Sequence, residues 1–192
     1  MAWAKLETTT LTSEGTSLGV TSLTDTKFIQ VISHIFSGTS GVATTNMHLN
    51  NITTGSAYSE RFHDYTTEYT EINQNKLVYG SNTGNSDNVL LVGYLSNIST
   101  EAKLFMCWTC EVTTAGAGQA PFRMEQVAKW TDTTNPVDEI DEDSTGDMGT
   151  SSNLSALGSD GVESVNVQDG AIFYETDTNK SYVLNSGTWT EV

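Results

Sequence analysis

The stretch Lys103-Leu104-Phe105-Met106-Cys107-Trp108-Thr109-Cys110-Glu111-Val112 decides the fold class of this chain. With a period of two, Leu104, Met106, Trp108, Cys110 and Val112 share one side, and Lys103, Phe105, Cys107, Thr109 and Glu111 the other, the alternation of a β-strand. The side that begins in Lys103 and ends in Glu111 is expected to face water, which makes the Leu104 side, Trp108 included, the core side. A second stretch behaves alike: Phe122, Met124, Gln126, Ala128 and Trp130 are expected inward, against Arg123, Glu125, Val127 and Lys129. The run Val89 to Leu95 is almost wholly apolar, so a central strand covered on both faces is expected there.

Composition extends the reading to the whole chain. Among 192 residues there are 30 Thr, 20 Ser and 14 Asn, a mix that favours strands and turns over long helices. Strands are expected over residues 3–11, 27–36, 67–72, 76–79, 89–98, 103–113, 122–130, 137–141 and 154–157, separated by Gly-rich and Asn-rich loops. They predict an all-β, two-sheet sandwich of the jelly-roll kind over residues 1–160. A chain of this length buries roughly 70% of its unfolded surface, so it needs no disulfide or metal staple.

Residues 161–192 read as a separate C-terminal docking segment, a meander with strands over 171–176, 181–185 and 188–192. So short a segment buries too little to stand alone. Its apolar residues Ile172, Phe173, Tyr174, Tyr182, Leu184 and Trp189 therefore form a candidate interaction surface toward the main domain or other subunits.

Charge narrows the function. Eight basic against 24 acidic residues give a net charge of -16, which repels phosphate backbones and anionic headgroups, so no direct nucleic-acid or membrane partner is expected. The start, MAWAKLETTT, has no apolar run of secretory length, so no export signal is expected, and no apolar run is long enough for a helix to span a bilayer. Four Asn-x-Ser/Thr sequons match the about four that chance gives, and say nothing.

Catalytic patterns are sparse. Cys107 and Cys110 have thioredoxin-like spacing, but inside a strand they point to opposite faces, one packed and one nearer the surface. His34, His48 and His63 lack metal-ligand spacing, and no nucleophile elbow, phosphate loop or dinucleotide fingerprint occurs. No enzyme is expected, and no catalytic or cofactor-binding residue is assigned. Asp141, Asp143 and Asp147 reproduce the first half of a Ca2+ loop, making them a candidate cation site, while position twelve is Ser152 rather than Glu. Past the strand expected over 137–141, the acidic segment otherwise reads as a solvated, self-repelling loop. Tyr58, Tyr65 and Tyr69, in a polar stretch, are candidates for stacking on a sugar ring.

Three segments carry a resemblance: Asn51-Ile52-Thr53-Thr54-Gly55-Ser56-Ala57-Tyr58-Ser59-Glu60-Arg61, then Ala115 to Trp130, then Gly146-Asp147 with Leu157-Gly158-Ser159-Asp160. Their order and spacing resemble a group of β-rich virion proteins of tailed phages and marine viruses. The C-terminal pattern Tyr174-Glu175-Thr176-Asp177-Thr178 with Trp189 is similar to short segments of phage tail fibres. Where that group tends toward Gly-Lys-Trp, this chain has Ala128-Lys129-Trp130. The resemblance implies a non-enzymatic structural protein localised to the virion, decorating the capsid or forming part of a tail appendage. Implied partners are further copies, arranged as a homotrimer, and capsid or tail proteins. The alternative is a carbohydrate-binding, receptor-recognising module of a fibre, with a glycan receptor as partner.

Overall fold

A computed structural model describes residues 3–39, 44–64, 66–80, 88–112, 116–161, 169–186 and 188–192. The chain divides into two compact units, residues 2–160 and 161–192, with no helix among the described residues. The first unit contains β1 (Ala4–Thr10), β2 (Gly15–Val20), β3 (Phe28–Ile35), β4 (Thr45–Leu49), β5 (Tyr58–Asp64) and β6 (Thr67–Gln74). It continues through β7 (Leu77–Gly80), β8 (Asn88–Ser96), β9 (Lys103–Val112), β10 (Phe122–Trp130), β11 (Ile140–Met148) and β12 (Asn153–Ser159). Eight strands form one antiparallel sheet in the order β1-β12-β3-β8-β9-β10-β5-β6, and four form another in the order β2-β11-β4-β7.

The expected all-β, two-sheet sandwich is what the chain forms. Side chains stitch the layers together: the Tyr58 hydroxyl on β5 accepts from the Leu49 amide on β4 at 2.9 Å, and Gln126 on β10 donates to the Val78 carbonyl on β7 at 2.8 Å. Aliphatic side chains fill the space between, with Ile29, Val31, Ile35, Leu91 and Leu154 of the large sheet against Met47, Leu49, Leu77 and Ile140 of the small one. Gly93 on β8 is required here, because a Cβ would sit 2.6 Å from the Phe105 ring that lies across it. The second unit is an antiparallel meander, β13 (Ile172–Glu175), β14 (Lys180–Asn185) and β15 (Thr188–Glu191).

β10 has the expected faces, with Met124, Gln126, Ala128 and Trp130 buried. On β9 the expected phase is reversed. Lys103, Phe105, Cys107, Thr109 and Glu111 are buried, while Leu104, Met106, Trp108, Cys110 and Val112 are exposed. The reason lies at the start of the strand: Lys103 Nζ donates to the carbonyls of Glu101 at 2.8 Å and Asp132 at 2.9 Å and sits 5.6 Å from the centre of the Trp130 ring. An ammonium so compensated tolerates burial, so its charge did not mark the wet side. β8 is central, as expected, but the small sheet covers one face only; Leu90 and Tyr94 are exposed within the chain.

The acidic segment holds a second correction. Residues 140–148 form β11, between β2 and β4, rather than a solvated loop. Its inward alternation is Ile140, Glu142, Ser144 and Met148, and the buried Glu142 hid it from a reading that equates charge with exposure. β2, β4 and β5 were not expected; β5 carries Glu60 at an inward position, which masks its alternation.

Glu60 and Glu142 are two of the buried carboxyls. Burial pushes Glu142 up to about 7, although Ser33 Oγ donates to it at 2.6 Å. Burial likewise pushes Glu60, which Gln126 Nε2 contacts, up to about 7. The ordinary value is 4.5, so the folded chain keeps protons that the unfolded chain releases as pH rises. Their favourable contribution is complete below that ordinary value and is lost as pH rises through about 7, at on the order of 3 kcal/mol for each group. Urea unfolding is expected to show greater stability near about pH 5 than near about pH 8. Glu142→Gln is expected to raise stability at the higher pH and flatten the profile; a Gln variant with the wild-type pH profile would contradict this assignment.

Candidate functional site

Directly paired residues of antiparallel strands project to the same side, so the face of the large sheet turned away from the small sheet can be followed in rows. One row runs Lys5, Leu157, Gln30, Tyr94, Met106, Val127, Arg61 and Thr70 from β1 to β6. The next runs Thr8, Ser155, Ile32, Val92, Trp108, Glu125, His63 and Glu68. Each row is apolar in its middle and polar or charged at its ends. Leu104 is 60% exposed, Val127 54% and Trp108 48%, so the middle of the sheet presents large apolar side chains to solvent. The apolar side chains concentrate on β8 and β9, with Val127 of β10 beside them, while the rest of the outward side of β10 is Arg123, Glu125 and Lys129. Contiguous apolar patches left exposed on a protein surface are commonly functional.

This face also differs in charge. Lys5, Arg61, Arg123 and Lys129, half of the eight basic residues, project from its strands beside only two acids, Glu68 and Glu125. Arg61 pairs with Glu68 at 3.3 Å and Arg123 with Glu125 at 3.5 Å. The four strands of the small sheet contain no Lys or Arg and carry Asp141, Glu142, Asp143 and Asp147. A shallow groove of about 270 Å3 crosses the large sheet's outward face, lined by Met106, Trp108 and Val127 and by Arg61, His63 and Glu125. Trp108 meets Tyr94 edge-on with centroids 6.5 Å apart.

The structure places the candidate cation residues differently from a loop. Asp141, Asp143 and Asp147 stand on β11, where the Asp143 carboxylate accepts from His48 Nε2 at 2.6 Å and Asn46 Nδ2 at 3.1 Å. Burial pushes Asp141 up to about 6. Among the described residues, no group of three or more His, Cys, Asp or Glu is placed to hold a metal ion. Strand pairing sets Asp141, Asp143 and Asp147 on the side of β11 opposite Glu142, extended along the strand rather than curled into a loop, with Asp143 engaged by His48 and Asn46.

The His48–Asp143 pair was not legible in the sequence, because its members lie 95 positions apart. His48 Nδ1 also faces the Ile52 carbonyl, at 3.3 Å. A carboxylate and a carbonyl both accept, so the two ring nitrogens face acceptors, a setting that favours the protonated ring over a free base nitrogen.

Among the remaining candidates, Cys107 is buried, donates to Gln126 Oε1 at 3.3 Å and is pushed up to about 12 by burial, whereas Cys110 is exposed on the apolar face. Trp130 is core, as expected, and Trp108 is not. Tyr58 is core, Tyr69 is exposed and stacks on Phe62 at 5.0 Å, and Tyr65 lies outside the described residues.

Within the meander, register splits the six candidate residues between two faces: Phe173, Tyr182, Leu184 and Trp189 on one, Ile172 and Tyr174 on the other. Leu184 is buried, while Phe173 lies 6.2 Å from Tyr182 and 6.1 Å from Trp189, ring centre to ring centre. Ile172, Phe173, Tyr174 and Trp189 are exposed.

Comparison with protein-family models, with curated proteins and with solved structures found no match to this chain. The candidate site therefore stands on its geometry: an apolar sheet face with a mixed-charge rim.

The hydrogen bond to Asp143 raises the His48 pKa above its ordinary 6.5, against the opposing effect of burial. The imidazolium's favourable contribution is complete below that ordinary value and is lost as pH rises through the raised one. Titration of the His48 ring by NMR is expected to show the raised pKa in the native chain and a fall on Asp143→Asn. An unchanged His48 titration in that variant would contradict the pairing.

Proposed function

We propose that this chain is a non-enzymatic structural protein of a phage particle, decorating the capsid or forming part of a tail appendage, where it assembles with itself and docks on neighbouring virion proteins. The observation that carries the assembly part is the apolar outward face of the eight-stranded sheet, with Leu104, Met106, Trp108 and Val127 exposed side by side. A face built that way is favoured when it is covered, and a repeated assembly supplies cover at every copy. The virion setting is supported by the resemblance carried by residues 51–61, 115–130, 146–147 and 157–160. The strong negative charge keeps such a part soluble at high copy number. In salty medium that charge is screened within roughly a few ångströms, so copies can crowd.

A second reading has one specific observation in its favour. Trp108 borders a groove in which Arg61, His63, Glu68 and Glu125 gather, and a flat ring beside charged hydrogen-bonding groups is chemistry that holds sugars. On that reading the chain is the carbohydrate-binding, receptor-recognising module of a fibre.

Mass spectrometry of purified particles, followed by antibody labelling in electron microscopy, tests the proposal. Recovery in fixed proportion to the major capsid or tail protein is expected; absence from particles would overturn it. Binding on a glycan array that is lost in Trp108→Ala would favour the second reading.

A further inference from the structure

We propose that Glu60 and Gln126, inward side chains of the large sheet, clamp the open edge of β7, and that the clamp stays closed while Glu60 carries a proton and opens when that proton is lost. The device goes beyond the assembly reading and does not depend on it.

Strand pairing creates the need for it. Among the described strands β7 pairs with β4 alone, so one edge of β7 has no strand beside it. Every second residue of such a strand aims its N–H and C=O outward, where they recruit another strand or must be covered. On β7 that residue is Val78. Its N–H donates to Glu60 Oε2 at 3.2 Å, and its C=O accepts from Gln126 Nε2 at 2.8 Å. Gln126 Nε2 also donates to Glu60 Oε2, and Cys107 Sγ donates to Gln126 Oε1 at 3.3 Å. A carboxyl and a carboxamide from β5 and β10 of the opposite sheet thus do for Val78 what a neighbouring peptide group does inside a sheet.

Burial makes the clamp sensitive to one proton. Glu60 is 4% exposed, and its second oxygen, Oε1, is buried without a hydrogen-bond partner. Among the described residues no ion pair involves it, so a carboxylate there lacks the compensation that a buried charge requires. From β6, Glu71 stands directly across from it; from β9, the Cys107 thiol lies behind Gln126 and senses both Glu60 and Glu142 of β11. β7 and β10 offer it only the Val78 peptide and the Gln126 amide. Lys76, just ahead of β7, pulls the other way, and burial outweighs it. The Glu60 carboxyl is therefore held up at about 7 against an ordinary 4.5. The clamp is complete below that ordinary value and is lost as pH rises through about 7. Once ionised, the carboxylate gains by turning out to water, which leaves the Val78 N–H and C=O open to a strand from outside.

Amide hydrogen exchange of the full chain, followed by NMR, tests the clamp. From about pH 5 to about pH 8, after correction for intrinsic rates, protection of the Val78 amide is expected to fall on the order of fiftyfold, the size that the Glu60 shift sets. Val31 on β3, a strand paired on both edges, is expected to exchange more slowly throughout. Glu60→Gln is expected to flatten the Val78 profile, while Val31 keeps the pH dependence that Glu142 supplies. Should the variant fail to fold, the wild type supplies a second readout, because Cys107 lies beneath the clamp and Cys110 in solvent. The rate at which a thiol reagent labels Cys107 relative to Cys110, resolved by mass spectrometry, is expected to rise by a similar factor over the same range.

Val78 and Val31 amides that exchange with equal protection would assign the opening to global unfolding and overturn the clamp. A Val78 profile that Glu60→Gln leaves unchanged, or a Cys107-to-Cys110 labelling ratio constant across that range, would do the same. Each outcome reads the same whether or not the chain is recovered in particles, so the clamp and the virion role fail separately.

Discussion

The ammonium of Lys103, held between the Glu101 and Asp132 carbonyls and near the Trp130 ring, marks the phase on which the sandwich depends. Because side chains alternate without exception along a regular strand, burying Lys103 commits Phe105, Cys107, Thr109 and Glu111 to the interior. It equally commits Leu104, Met106, Trp108 and Val112 to the outside. Pairing then transmits the choice to β8 and β10, and through them across the sheet. The opposite phase would carry Lys103 and Glu111 to solvent at the cost of lifting Phe105 off Gly93 and out of the core.

One consequence is an interior more polar than usual and an exterior more apolar than usual. Ser33, Glu60, Thr109, Gln126 and Glu142 lie between the layers, where hydrogen bonds such as Ser33 to Glu142 and Gln126 to Val78 offset part of the desolvation. The carboxyls complete the compensation by holding their protons to about neutrality. Outside, no such adjustment is open to Trp108 or Leu104. Apolar surface is relieved only by contact, which is why the fold itself directs attention to assembly.

Much of the fold was legible. The periodicity of β10 gave its bounds and faces, the apolar run of β8 gave a central strand, and turn chemistry gave the three strands of the meander. The reversed phase of β9 and the hidden inward face of β11 failed for one physical reason, the use of charge as a marker of exposure. Lys103 on β9, Glu60 on β5 and Glu142 on β11 are all charged types at inward positions, each with partners that sequence neighbours do not reveal. The candidate surface was hidden by the same inversion, since Trp108 was assigned to the core. His48 and Asp143 meet only because β4 and β11 pair, a long-range fact that no local pattern carries.

The account's central claim is that Leu104, Met106, Trp108 and Val112 point away from the small sheet. Hydroxyl-radical footprinting at high dilution, read by mass spectrometry, tests it directly by comparing Met106 and Trp108 with Met124 and Trp130. The account predicts rapid oxidation of the first pair and protection of the second. Protection of Met106 and Trp108 in the dilute, monomeric chain would contradict it.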